Sequence, residues 1–203
     1  MKICKLGCGT VITCCVDRIR LDAYYVFIHP YFPILPPSEH QPVSSRPLAR
    51  GPPTFEPTSP LSLAISAILS LIPHPNERNS KTTEYLKRRR EYAHCFAQTA
   101  LGVIERDYEL LSMGQNSQTG PADTTKAFER VPFHPKLEVP VEGVVALSIL
   151  SIYEYAQRGN IDNMLQRVNQ ALALAMSMSL HEAVEEEQYA DSKRRVWWMT
   201  VGA

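Results

Sequence analysis

The sequence predicts an all-α fold: antiparallel helical hairpins arranged as a solenoid or bundle, preceded by a proline-rich extended linker. Two observations predict the helices. Apolar side chains recur at three- and four-residue spacing from Leu61 onward, which puts them on one face of a helix. Residues that start and stop helices fall between these periodic stretches. A third observation sets the linker, for ten prolines lie between Pro30 and Pro60. The chain divides accordingly into a cysteine-containing leader at 1–20, a short helix and linker at 21–60, and a helical domain at 61–203.

In order, Leu21 to Ile28 is expected to form a short helix carrying Tyr24, Tyr25 and Phe27, which ends at His29-Pro30 because the residue before a proline is pushed out of the helical region. The proline-rich run from Pro30 to Pro60 cannot make the backbone hydrogen bonds of a folded unit, so it is expected to be an extended spacer. Pro36-Pro37 and Pro52-Pro53 within it could also dock a proline-recognising module. Leu61 to Ile72 is apolar on nearly every side with small serines between, as a buried core helix requires, and Pro73 and Pro75 stop it.

From Ser80 or Thr82 to about Met113 the spacing predicts the longest helix, with Tyr85, Tyr92, Phe96, Ala100, Val103 or Ile104, Tyr108 and Leu111 on its apolar face. Lys87, Arg88, Arg89 and Arg90 lie on it. Four consecutive residues spread around most of a helix, so at least one must lay its stem along the core edge. The quartet reads as a nuclear import patch or as a charged face paired with Glu84 and Glu91. Gly114 to Pro140 is polar and weakly periodic, hence a loop, with a helical turn expected near Thr124 to Arg130 and an ordered excursion at Phe133-His134-Pro135.

Pro140 can occupy the first turn of the next helix, whose apolar positions are Val144, Leu147, Ile149, Leu150, Tyr153 and Tyr155. Gly159 can take the left-handed conformation that ends it, and Asn160 or Asp162 can cap the helix that follows. Leu165, Val168, Ala171, Leu172, Ala175, Met176 and Met178 or Leu180 mark the buried face of that returning helix, and its alanines permit close packing. A last helix is expected to begin between Glu185 and Asp191 and to carry Lys193-Arg194-Arg195-Val196-Trp197-Trp198. One tryptophan can enter the core while the other packs on a neighbour, and either can stack with an arginine.

Ile152-Tyr153-Glu154-Tyr155, the turn at Gly159-Asn160, the alanine-rich helix with Ala171 and Ala175 ending in Ser179-Leu180-His181, and the opening of the last helix at Arg194, Arg195, Trp197 and Trp198 resemble the fungal-specific transcription factor domain. This is the middle homology region of fungal binuclear zinc-cluster regulators, the xylanolytic activators among them. Tyr24 to Leu35 is similar to the short segment that commonly precedes it. The resemblance spans about residues 21 to 201. It implies a regulatory helical domain that acts in the nucleus through transcriptional co-regulators or family members and, in some cases, a small-molecule inducer. Zinc and DNA binding are implied only for the full-length family, through a six-cysteine cluster. In the family the last helix continues into further helices, so this chain is expected to be a partial domain with an exposed tryptophan and an open apolar flank. A free-standing or truncated helical interaction module without DNA binding is the alternative reading.

Bulk properties agree with a domain of this kind. The chain has 203 residues and 44% hydrophobic content, enough for one domain with a core. Its zero net charge means that contact with nucleic acid or anionic lipid would need a local patch. The longest nearly apolar run, Leu61 to Ile72, is too short to span a bilayer, and no membrane partner is expected.

The leader loosely imitates a secretory signal, but Gly7, Gly9 and paired cysteines interrupt its apolar run and no clear cleavage site follows. Its cysteines, Cys4, Cys8, Cys14 and Cys15, lack the family's cluster spacing, and adjacent Cys14 and Cys15 cannot readily be two ligands of one tetrahedral ion. They read as free thiols, with no cofactor or metal expected in this chain. The alternative is that this leader is not the natural start and that an upstream segment carries the true cluster.

Catalysis has little support. The sequence contains no Gly-rich phosphate loop, no H-E-x-x-H helix and no nucleophile elbow. His181 follows a helix end, where the dipole stabilises an imidazolium, and reads as structural. An enzyme with a cavity among its helices would instead show convergent polar groups.

Overall fold

The computed structural model describes residues 17–38, 41–42, 57–73, 82–116, 130–182 and 189–202. Every regular element among them is helical: α1 (Asp17–Phe27), α2 (Pro60–Leu69), α3 (Thr83–Asn116), α4 (Glu142–Arg158), α5 (Ile161–Ser177) and α6 (Ala190–Val201). Single 3-10 turns at Val139–Val141 and Leu180–Glu182 flank the α4–α5 pair. Cys4, Cys8, Cys14 and Cys15 lie outside the described residues, as do Pro52-Pro53 and the expected helical turn short of Arg130.

The apolar content of α2 and α4 puts them at the centre. In α2, residues Pro60 to Ala67 are all buried, between α3 on one side and α4 on the other, with α1 laid against it. Its serines fit an apolar setting because each hydroxyl turns back onto the helix: Ser66 donates to the Ser62 carbonyl at 2.7 Å and Ser70 to Ser66 at 2.6 Å. Ser59 caps its start, its oxygen accepting the Ser62 N–H at 3.0 Å, and Pro60 takes the first turn, where no N–H is needed. The helix stops at Leu69, three residues short of the expected Ile72, where Leu71 and Ile72 tighten into shorter-range turns ahead of Pro73.

From Glu142 to Ser151, α4 is buried on every side. With the preceding turn it makes a 20-residue stretch, Val139–Arg158, long and apolar enough to cross a membrane by length and composition, and longer than the Leu61–Ile72 run that the sequence singles out. Of its most apolar 18 residues, 72% are buried, packed against α2, α5, α3 and α6. It serves as the core helix of this domain. α5 returns along it: Asn163 at its start faces Glu154 near the end of α4, while Leu174 near its own end approaches Gly143 at the start of α4.

Two sequence expectations need correction. The proline-rich run is not extended spacer from its first residue. Ile34 and Leu35 are fully buried, and the Tyr24 hydroxyl accepts the Leu35 N–H while donating to the Phe32 carbonyl, so the run begins as part of the core. Several side chains assigned to buried faces point outward, namely Tyr108 on α3, Tyr155 on α4, and Leu165 and Met176 on α5. Alanines take the inner positions of α3, at Ala93, Ala97 and Ala100, because that helix lies close against α2.

Candidate functional site

Gly159 has φ of +60°, and its N–H bonds the Tyr155 carbonyl while that of Asn160 bonds Glu154, both at 3.1 Å. This left-handed cap ends α4, and one residue later the Asn160 side chain accepts the Asn163 N–H at 2.9 Å and starts α5. The turn is therefore fully described by local chemistry. Tyr153 and Glu154 are buried beneath it, and burial pushes the Tyr153 phenol up. The Glu154 carboxylate meets Arg158 at 3.4 Å and Asn163 at 3.5 Å. Ala171 and Ala175 are fully buried in α5, and Leu180 closes its end.

His181 and the α6 residues lie beyond that end. The His181 ring sits 5.2 Å from the half-buried Trp197 ring at 40°. Its Nε2 is also 3.4 Å from Glu182 at the surface. Trp198 is 68% exposed. Arg194 pairs with Asp191 at 3.0 Å on the outer side, while Arg195, half-buried, projects its charge onto Tyr24 and His29 of α1. Burial, with that arginine second, holds the His29 imidazole below its ordinary range. The neutral ring donates Nδ1–H to the Tyr24 oxygen at 3.2 Å. The described motif residues between Tyr153 and Trp198 thus form caps, packing and one outer edge.

Of the polar groups that converge, the sequence marks Phe133-His134-Pro135 as an ordered excursion but gives no such role to Asp107, Arg130 or Glu142. They meet at the connector from Arg130 to Val141. Arg130 Nη1 is 2.6 Å from Asp107 Oδ2 on α3, and its Nε is 3.5 Å from Glu142 Oε2 on α4. The Phe133 N–H donates to Glu142 Oε1 at 2.5 Å. Lys136 N–H donates to His134 Nδ1 at 3.1 Å, which leaves the proton on Nε2 to be donated to Tyr25, also at 3.1 Å, and Tyr25 donates to the Pro36 carbonyl at 2.5 Å. Ser192 of α6 donates to the Lys136 carbonyl, and Lys193 pairs with Glu138 at 3.2 Å. One short connector therefore ties α1, α3, α4 and α6 together.

Glu142 is the extreme member, with no exposed side-chain surface. Burial pushes its carboxyl up to about 7, outweighing the lowering influence of the Phe133 N–H, Arg130 and the Ser59 hydroxyl. In V-P-V-E-G-V-V this acid stands alone among apolar residues and glycine, a local pattern that does not separate a helix-start acid from a buried one.

The remaining sites are surfaces. Lys87, Arg88 and Arg90 are exposed and Arg89 is half-buried, as the spread of four residues around a helix requires. A shallow, open depression lies along α5 between Asp162 and Ala173. Among the described residues no group of three or more His, Cys, Asp or Glu is placed to hold a metal ion. Comparison of the chain with protein-family models, with curated proteins and with solved structures finds no match in any of the three.

Proposed function

We propose that residues 61–203 act as a helical regulatory domain of a fungal zinc-cluster transcription factor, controlling transcription by RNA polymerase II in the nucleus. One resemblance carries the reading: the segments at Tyr153-Glu154, at Gly159-Asn160 with Ala171 and Ala175, and at Leu180-His181 through Arg194 to Trp198 resemble motifs of that family in order and spacing. Their roles are scaffold roles, as caps, buried small residues and a tryptophan edge, and this supports regulation over catalysis. In this reading DNA and zinc are bound by the family's six-cysteine cluster, which residues 61–203 do not contain. Co-regulators or family members meet the helical surface, with a small inducer as a further ligand. The physical role is shielding, in which the domain covers an attached activation segment until a signal shifts the population. Lys87, Arg88, Arg89 and Arg90 form the import patch, with Arg89 half-buried and the other three exposed.

The test is a reporter assay in fungal cells with this chain fused between a heterologous DNA-binding module and an activation segment. Reporter output several-fold below that of the same fusion without the chain is expected. Equal output with and without the chain would discard regulation in cis. If separately expressed chain nonetheless lowers the output of a family regulator, the interaction-module reading takes its place.

A further inference from the structure

Ile161, Leu165, Val168, Leu172 and Met176 recur along α5 at three- and four-residue spacing, the pattern of a helix that packs against another helix. They lie between about 60 and 140 degrees from the direction of Ala171, beside the face that packs on α4. No described element covers Ile161, Leu165 or Met176, and Val168 and Leu172 are half-buried. We propose that this stripe is a self-association surface, on which α5 of a second copy of the chain lies antiparallel, with the two-fold axis between Val168 and Asn169.

Self-complementarity points to a second copy as the occupant. About that axis Ile161 meets Met176 of the partner subunit, Leu165 meets Leu172 of the partner subunit, and Val168 packs against Val168 of the partner subunit. Each apolar group thus finds one of similar bulk. Charge points the same way. Asp162 and Arg167 are the charged residues of α5, and the flank beside the stripe is otherwise uncharged, with Gln166, Asn169 and Ala173. Such a flank offers no ion pairs to an acidic or basic helix and does not repel its own copy. Arg167 points about 140 degrees away from the middle of the stripe and donates to Gln170 at 2.9 Å. In the antiparallel pair the two Asp162 carboxylates stand about 20 Å apart along the helices, beyond the screening length of about 8 Å. A parallel pair would set them side by side.

Area sets the strength. A stripe on one helix, about 25 Å long, falls short by itself of the roughly 800 Å² per partner of a standard interface. Tyr155, in the last turn of α4 before the chain reverses, is exposed as well, as are Trp198 and Val201 on α6, which packs on α5. A surface extended by these groups suits a weak, reversible dimer that forms at micromolar rather than nanomolar concentration. The surface stands independently of the transcriptional reading.

The test is sedimentation equilibrium of the full chain from about 1 to about 500 µM, with a reductant present because the chain has five cysteines. A rise from the monomer mass toward twice that mass is expected. Ile161→Glu and Met176→Lys, both at exposed positions, are each expected to weaken association at least about tenfold. An equimolar mixture of the two is expected to recover it, because the antiparallel register sets the introduced acid against the introduced base. Monomer throughout the range would overturn the surface and leave the stripe to a partner of another kind. A dimer untouched by either substitution would overturn it too, as would variants that stay apart on mixing, the outcome for a parallel pair. Should either variant lose its helical circular dichroism, Asn169→Cys decides. Mild oxidation is expected to link that position to its counterpart in the second copy, read by peptide mass, and absence of the link rejects the register.

Discussion

Ser179 ends α5 with φ of +51°, in the left-handed region that an L side chain enters at a cost, while Gly159 ends α4 at +60°. Two helix ends thus use the same backbone conformation with opposite suitability. Replacing Ser179 with glycine is expected to stabilise the fold by about 1 kcal/mol in urea denaturation, and Gly159→Ala to destabilise it by about 1–2 kcal/mol. A Cβ at Gly159 would meet nothing within 4 Å, so the second cost is backbone strain alone. The two shifts should differ in sign, and equal signs would show that side-chain contacts dominate. Gly159 was legible in the sequence because glycine followed by asparagine marks a turn. Ser179 was not, since serine carries no bias toward positive φ and only the closing of Leu180 onto the core forces it there. Glu142 escaped for a related reason: an acid at a helix start reads as a favourable dipole partner, and nothing local says that other helices enclose it.

At the scale of elements, α5 shows how much a periodic pattern leaves open. Ala171 and Ala175 were read correctly as inward, but Leu165 and Met176, expected beside them, are 50% and 56% exposed, and Leu174 is buried instead. Measured from the Ala171 direction, Leu165 and Met176 lie about 120 and 140 degrees around the helix, whereas Leu174 lies about 60 degrees to the other side. Both flanks carry apolar residues. Which one is buried depends on where α4 and α6 stand, information that spacing within α5 does not contain. Leu174→Ala is therefore expected to cost about 2–4 kcal/mol, and Leu165→Ala under about 0.5 kcal/mol, by chemical denaturation. Similar losses from both would restore the original face. In α2 and α4 the same question hardly arises, because both are apolar on nearly all sides and buried on nearly all sides.

For the molecule as a whole, the long α3 has two functions by position. Ala93, Ala97, Ala100, Val103, Ile104 and Asp107 form an inner face that packs in the interior, while the first two turns, with Glu84, Leu86, Lys87, Arg88, Arg90 and Glu91, stand exposed. Replacing Lys87, Arg88 and Arg90 with glutamine, with half-buried Arg89 retained, is expected to abolish nuclear accumulation of a fluorescent fusion in fungal cells. Unchanged accumulation would leave the quartet as a solvated face paired with its acids. Helical class, the order of the helices and the turn at Gly159-Asn160 were determined by the sequence itself, since periodicity and capping act over a few neighbours, whereas which of Trp197 and Trp198 stands exposed was not. The inward flank of α5, the burial of Ile34 and Leu35, and the joining of Asp107, Arg130, Glu142, Tyr25, His134 and Ser192 through one connector were decided only by tertiary structure. These residues lie far apart along the chain. Their energies depend on which helices enclose them and exclude water, and no local pattern encodes that.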